Sequence, residues 1–203
     1  MIEATNSGND YKPVEAGTYV ARCYSMVHIG TVEEEYMGEK KEMNKVRVTW
    51  ELPTELFKTE DGEKPFSVSK EFTLSMSEKA NLRKFLEGWR GKGFSEDEAK
   101  KFDITKLLGV PCLLSIIHKT SKRGRIYAEI TSASALPKGM ECPPQINPDF
   151  EFTYTPFSQE KYDSLPDWLK DKIKVSREYR EITTPGNTED SANEEDDSSG
   201  LPF

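Results

Sequence analysis

Side chains able to carry out catalysis are sparse in this chain, and none of them assemble into a recognisable set. The two histidines, His28 and His118, fall inside alternating apolar segments, with no second imidazole, thiol or carboxylate at metal-ligand spacing. No GxxxxGK[ST], GxSxG or HExxH stretch occurs. The acidic runs EEE at 33–35 and SEDE at 95–98 read as a loop and a helix start, where carboxylates are expected on electrostatic grounds alone. Cys23, Cys112 and Cys142 form no CxxC pair, and the first two alternate with apolar residues as small hydrophobes do. The sequence therefore predicts no catalytic residue, no metal site and no cofactor. A small nuclease built from distant carboxylates is the enzymatic alternative, and no pair of residues nominates it.

Cations and flat rings in strand register are the stronger signal. If Ala21, Cys23, Val46, Val48, Trp50, Ile126, Ala128 and Ile130 face a core, strict alternation turns Arg22, Tyr24, Lys45, Arg47, Arg125 and Tyr127 to the opposite face. The turn TSKRG and its flank add Lys119, Lys122 and Arg123, while 30–42, read as a loop, adds Tyr36 with Lys40 and Lys41. Single-stranded nucleic acid needs this mixture: cations follow phosphates, and rings stack bases of any identity at ~1–3 kcal/mol per base. Each position alone is an ordinary solvated strand residue; the grouping carries the reading. Trp50 is assigned to the core, and Arg83, Lys84, Arg90 and Lys92 to a solvated helix face.

The elements that must position this set follow from periodicity. GTYVARCYSMVHI (17–29), MNKVRVTWEL (43–52) and FSVSKEFTL (66–74) alternate as half-buried strands, and Lys70 on the apolar side of the third predicts an irregularity. The period then becomes helical: Ser77 is the expected N-cap, Leu82, Phe85, Leu86 and Trp89 share a face, and Gly91 is the stop. Ser95 and Glu98 form a capping box for a second short helix, 103–109 makes one more turn, and strands resume at 110–119 and 125–133 around Gly124. Three strands, a helix and two strands is the order of a five-stranded OB-fold barrel, a mainly β class; an SH3-like barrel and a split α+β sheet are the alternatives. Residues 136–148 read as loop and 150–157 as a sixth, edge strand. The segment 165–179 reads as an amphipathic helix with Leu165, Trp168, Leu169 and Ile173 on one stripe packed on the barrel. The expected organisation is a barrel domain at 1–157, a helical extension at 158–182 and a tail at 183–203.

The net charge of −8 is unevenly spread: six carboxylates and no cation fall in 183–203, leaving 28 basic against 30 acidic side chains in the first 182 residues. Residues 183–200, a like-charged block without aromatics, are expected to be disordered and to serve as an interaction tail. The chain ends EEDDSSGLPF, with Glu194, Glu195, Asp196 and Asp197 followed by Leu201, Pro202 and Phe203. A terminal ring beside an α-carboxylate suits a basic, apolar-lined pocket on a partner. The start, MIEATNSGNDYKP, has neither a basic region nor an apolar core segment, and no apolar run is long enough to span a bilayer; the expectation is a cytoplasmic protein with no membrane partner.

The tail resembles the C-terminus of bacterial and phage single-stranded DNA-binding proteins, which close on an acidic run and a short apolar-Pro-Phe tip. It departs from them in the Ser-Ser-Gly spacer, where the bacterial pattern keeps aspartates nearly to the tip. LRKFLEGWRGKGFSEDE (82–98) is similar to a group of phage and prophage proteins regarded as single-stranded DNA-binding or replication proteins. The resemblance implies a protein of host bacterial cytoplasm, phage-encoded, that coats single-stranded DNA during replication, recombination and repair. It also implies that the tip docks partner enzymes while the acidic run competes with DNA for the basic groove. A homo-oligomer is compatible with this, and a replication-initiation or recombination-mediator adaptor is the alternative.

Overall fold

The computed structural model describes residues 13–36, 38–60 and 62–184, the side chain of Tyr36 excepted. The expected tail lies outside the described residues from 185 onward, and with it Glu194, Glu195, Asp196, Asp197, Leu201, Pro202 and Phe203.

Strand β1 (Gly17–Tyr36) pairs antiparallel with β2 (Glu39–Thr59), and β2 with β3 (Gly62–Thr73). The first residues of β1 pair on their other edge with β4 (Pro111–Thr120), and β4 pairs with β5 (Ile126–Ser134). The strand order β3-β2-β1-β4-β5 makes a strongly curled antiparallel half-barrel whose free edges, β3 and β5, run in the same direction and face each other across a seam. Among the described residues only the short β6 (Phe150–Phe152), paired parallel to Ser25–Val27, adds to this path.

Alternation builds the inner face as expected at Ala21, Cys23, Val46, Val48, Trp50 and Ile130, all at most 3 % exposed. Three strand expectations are corrected. The segment 30–42 is no loop: the β1–β2 ladder runs to Tyr36↔Glu39. Polar residues on both faces erase the alternation there, while cross-strand charge pairs such as Lys40–Glu33 at 2.7 Å and Lys45–Glu34 at 2.6 Å flank the ladder. Ile126, expected inward, is 55 % exposed because β5 begins beyond the rim of the core. Lys70 marks no irregularity, since pairing is unbroken from Val46↔Phe72 to Leu52↔Phe66 and the register shift lies between Leu52 and Leu56. Its side chain instead crosses the seam, Nζ donating to the Ile130 carbonyl of β5 at 2.6 Å.

One end of the half-barrel is filled by α1 (Asn81–Arg90), whose Leu82, Phe85, Leu86 and Trp89 are buried as their spacing requires. Its N-cap is Ala80, with no capping side chain; Ser77 stands a turn too early for that role. Trp50 lies under this helix, 5.7 Å from the Phe85 ring and 5.5 Å from that of Trp89. The approach to β5 is so close that a Cβ on Gly88 would lie 2.6 Å from the Ala133 carbonyl oxygen. The capping box of Ser95 and Glu98 opens α2 (Glu96–Lys101), followed by a 3₁₀ turn at Ile104–Leu107.

A second core sits on the outer face of β1. Val27 and Ile29 pack there with Phe152 of β6, Tyr162 of α3 (Gln159–Asp163), Leu169 and Ile173 of α4 (Asp167–Lys174), and Tyr154 and Leu165 from the connections between them. The single helix expected over 165–179 is two, because the chain breaks at Val175 and restarts as α5 (Arg177–Thr183) under the N-cap of Ser176. Gly30, at φ +94°, makes room for that N-cap, since a Cβ there would come within 2.7 Å of the Ser176 Cβ. Trp168 is not on the buried stripe; it is 48 % exposed.

Candidate nucleic-acid interface

The register of β1 and β2 decides what the outer face offers. Arg22 stands opposite Glu51, and both are covered by the irregular segment 135–149. The Arg22 guanidinium donates to the carbonyls of Gly109 at 2.7 Å, Pro143 at 3.0 Å and Cys142 at 3.3 Å. Glu51, fully buried, accepts from the backbone N–H groups of Ile146 and Asn147, each at 2.8 Å, and from the Asn147 side-chain amide at 2.7 Å. Arg22 is thus spent inside the protein, although the sequence placed it on a free face.

Beyond Cys23 a register shift makes Tyr24 an extra residue of β1, and its hydroxyl donates to Ser67 Oγ on β3 at 3.2 Å. The ring therefore reaches over β2 toward β3. Thr49 and Ser69 exchange a hydroxyl hydrogen bond at 3.0 Å beside it. Lys45, farther along β2, is tied to Glu34 and largely covered, so it stands apart from this surface.

Between β3 and β5 the seam opens into a groove of about 620 Å³. Ser67, Val68 and Ser69 form one wall, Arg125, Ile126, Tyr127 and Ala128 the other, with Arg47 on the floor and Pro13 and Val14 at one side. Three of the residues picked from sequence, Arg47, Arg125 and Tyr127, thus come together although they lie on two strands that do not pair. Lys122 and Arg123 are exposed in the turn leading into that wall, closed by Ser121 N–H on the Arg125 carbonyl at 2.8 Å with Gly124 at φ 77°. Ser121 Oγ accepts from the Arg125 backbone N–H at 3.1 Å, and among the described residues no partner engages the ammonium of Lys122 or the guanidinium groups of Arg123 and Arg125.

Lys119 is differently placed: it pairs with Glu129 at 2.8 Å, and that carboxylate raises its pKa while its own is lowered by the ammonium. Tyr127 also reaches Glu129, at 3.4 Å, and keeps 40 % of its surface exposed. The backbone of Tyr36 pairs with Glu39 at the end of the β1–β2 ladder, and its side chain lies outside the described residues.

Sequence reasoning missed two contributors. Arg47 carries the Trp168 ring of α4 over its guanidinium, 4.7 Å to the centroid, and it pairs with Glu71 at 3.3 Å. Lys172, one turn beyond Trp168, meets the same Glu71 at 2.7 Å. Trp168 gives no separate signal in the sequence, because Leu165 three residues before it and Leu169 immediately after it make it look like core.

No protein-family model matches the chain, and no curated protein is similar to it. The functional reading therefore rests on the groove itself. It has Arg125 and the exposed Tyr127 ring on one wall, the hydroxyls of Ser67 and Ser69 on the other, and the Arg47 guanidinium between them. Phosphates take hydrogen bonds from hydroxyls and guanidinium groups alike, and bases stack on rings. Among the described residues no three His, Cys, Asp or Glu side chains converge as a metal-ligand set, and no helix is long and apolar enough to cross a membrane.

Proposed function

We propose that this chain is a single-stranded DNA-binding protein with an OB-type barrel, which coats exposed strands without regard to sequence during phage replication, recombination and repair. The observation that carries the reading is the open seam between β3 and β5, where Arg47, Arg125 and Tyr127 line one groove with Ser67 and Ser69. The OB assignment is supported by the strand order, by the parallel sense of β3 and β5 across the seam, and by α1 entering between β3 and β4 to fill the barrel end. The tail ending in Leu201, Pro202 and Phe203 supplies a docking tip for replication or recombination enzymes, and its carboxylates compete with DNA for the cations of the groove. The site of action is the host bacterial cytoplasm.

The test is a titration of labelled oligothymidine and a matched duplex with the full chain and with a chain stopping at Ile182, at low and moderate salt. Salt-sensitive binding of the single strand in preference to duplex, strengthened by truncation, is the expected result. Absence of single-strand binding by both chains at low salt overturns the proposal.

A further inference from the structure

Glu71 on β3 sits between two cations from different layers of the protein. Its carboxylate lies 3.3 Å from Arg47 Nη1 on β2 and 2.7 and 2.9 Å from Lys172 Nζ on α4. The same two cations flank one ring, Trp168, at 4.7 Å from the Arg47 guanidinium and 5.9 Å from the Lys172 ammonium. These four side chains are the place where the C-terminal helical layer meets the outer face of the sheet, next to the groove that Arg47 floors. All remain in reach of solvent: the side chains of Arg47, Glu71 and Lys172 are 25, 23 and 47 % exposed, and Trp168 is 48 % exposed.

Two cations separated by an anion-sized gap, with an indole between them, match the chemistry of one nucleotide: an anionic phosphate and a flat base. We propose that Arg47, Lys172 and Trp168 form a nucleotide subsite of the single-strand path, and that Glu71 occupies the phosphate position when no strand is bound. This deepens the proposed single-stranded DNA binding and rests on it. A strand would displace the Glu71 carboxylate from Arg47 and Lys172, put a phosphate in its place and lay a base against Trp168, since stacking on indole tolerates any base. Unlike carbonyls of a folded loop, a partly exposed side-chain carboxylate can swing into water, so its displacement is cheap. The subsite extends the path from the seam up to α4, making the helical layer part of the binding surface.

Trp168 reports on itself. Trp50 and Trp89 are 0 and 3 % exposed, so quenching of tryptophan emission by iodide reads Trp168 almost alone. The experiment titrates the full chain with oligothymidine and follows both iodide quenching and the anisotropy of a labelled strand. The variants are Trp168→Ala, Trp168→Phe, Glu71→Gln and, as a control for net charge, Glu141→Gln on the exposed 135–149 segment.

Four results are expected: the strand protects Trp168 from iodide; Trp168→Ala weakens binding roughly tenfold and Trp168→Phe restores most of it; Glu71→Gln tightens binding by several-fold more than Glu141→Gln; and the Glu71→Gln advantage shrinks as salt rises. Tight binding by the parent chain with iodide access unchanged, or with Trp168→Ala equal to parent, overturns the subsite and leaves the groove standing. Glu71→Gln no tighter than Glu141→Gln overturns the role of Glu71. If the parent chain binds no single strand, both the subsite and the functional proposal fall.

Discussion

Arg22 and Arg47 lie on the outer face of neighbouring strands in one sheet, and their surroundings differ in kind. Arg22 donates to the carbonyls of Cys142 and Pro143 in the folded 135–149 segment and to that of Gly109 before β4, while Glu51 opposite it collects three N–H donors from 135–149. Arg47 is held by one carboxylate and one ring, both side chains on the surface. A cation is available to a ligand in proportion to how easily its present partners can leave. Backbone carbonyls cannot leave without unfolding a loop, whereas a side chain only has to rotate.

The sharpest way to break this contrast is Glu51→Ala, which strands three donors in a buried place. A loss of about 3 kcal/mol in urea unfolding is expected, with single-strand affinity of the folded fraction unchanged. Loss of affinity in parallel with stability would mean that the sealed end takes part in binding after all. At the open end, Tyr127→Ala should do the reverse, weakening oligothymidine binding by ~1–3 kcal/mol. Its unfolding free energy should stay within about 0.5 kcal/mol of the parent.

A matched pair sharpens the comparison further. Arg22→Ala is expected to cost about 1.5 kcal/mol of stability and leave the salt dependence of binding alone. Arg125→Ala should keep stability and lower the slope of log affinity against log salt by about 0.7, one phosphate contact on a single strand.

The smallest effect concerns a second lock, where Glu178 of α5 accepts from Thr31 N–H at 2.6 Å and Thr31 Oγ1 at 2.7 Å. Burial pushes this carboxyl up, but the Thr31 hydrogen bonds, joined by the Glu178 N–H and the nearby His28, outweigh it, and the net pKa is below the ordinary value. A folded pKa below the unfolded one stabilises the protein fully above the unfolded value and is lost as pH falls through the folded value. Glu178→Gln should therefore flatten the acid limb of a stability-against-pH curve below about pH 4.3, by much less than the Glu51 effect.

Much of the barrel was legible in local pattern. Val46, Val48, Trp50 and Leu52 alternate because one face is buried, and Leu82, Phe85, Leu86 and Trp89 recur at helical spacing for the same reason. Pattern fails where burial does not follow the neighbours in sequence. The β1–β2 hairpin beyond Gly30 is polar on both faces, so nothing in its alternation distinguishes a ladder from a loop. Ile126 keeps the strand period past the point where there is a core to face. The fates of Arg22 and Arg47 depend on residues about 120 positions downstream, Cys142 and Pro143 for one and Trp168 for the other. Three of the six residues that alternation turned outward, Arg47, Arg125 and Tyr127, line the groove because outward alternation is a local rule. Which outward residues remain open is set by what folds over them later in the chain.

Lys70 carries one further consequence. Two unpaired strand edges facing each other are an invitation to zip together, or to accept a strand from another molecule and begin an aggregate. By placing an ammonium on the core side of β3 and fastening it to a carbonyl of β5, the chain puts a charge where an intruding strand would have to lie. A lysine side chain thus bridges the two edges without a backbone ladder between them, and the same residue guards those edges against foreign chains.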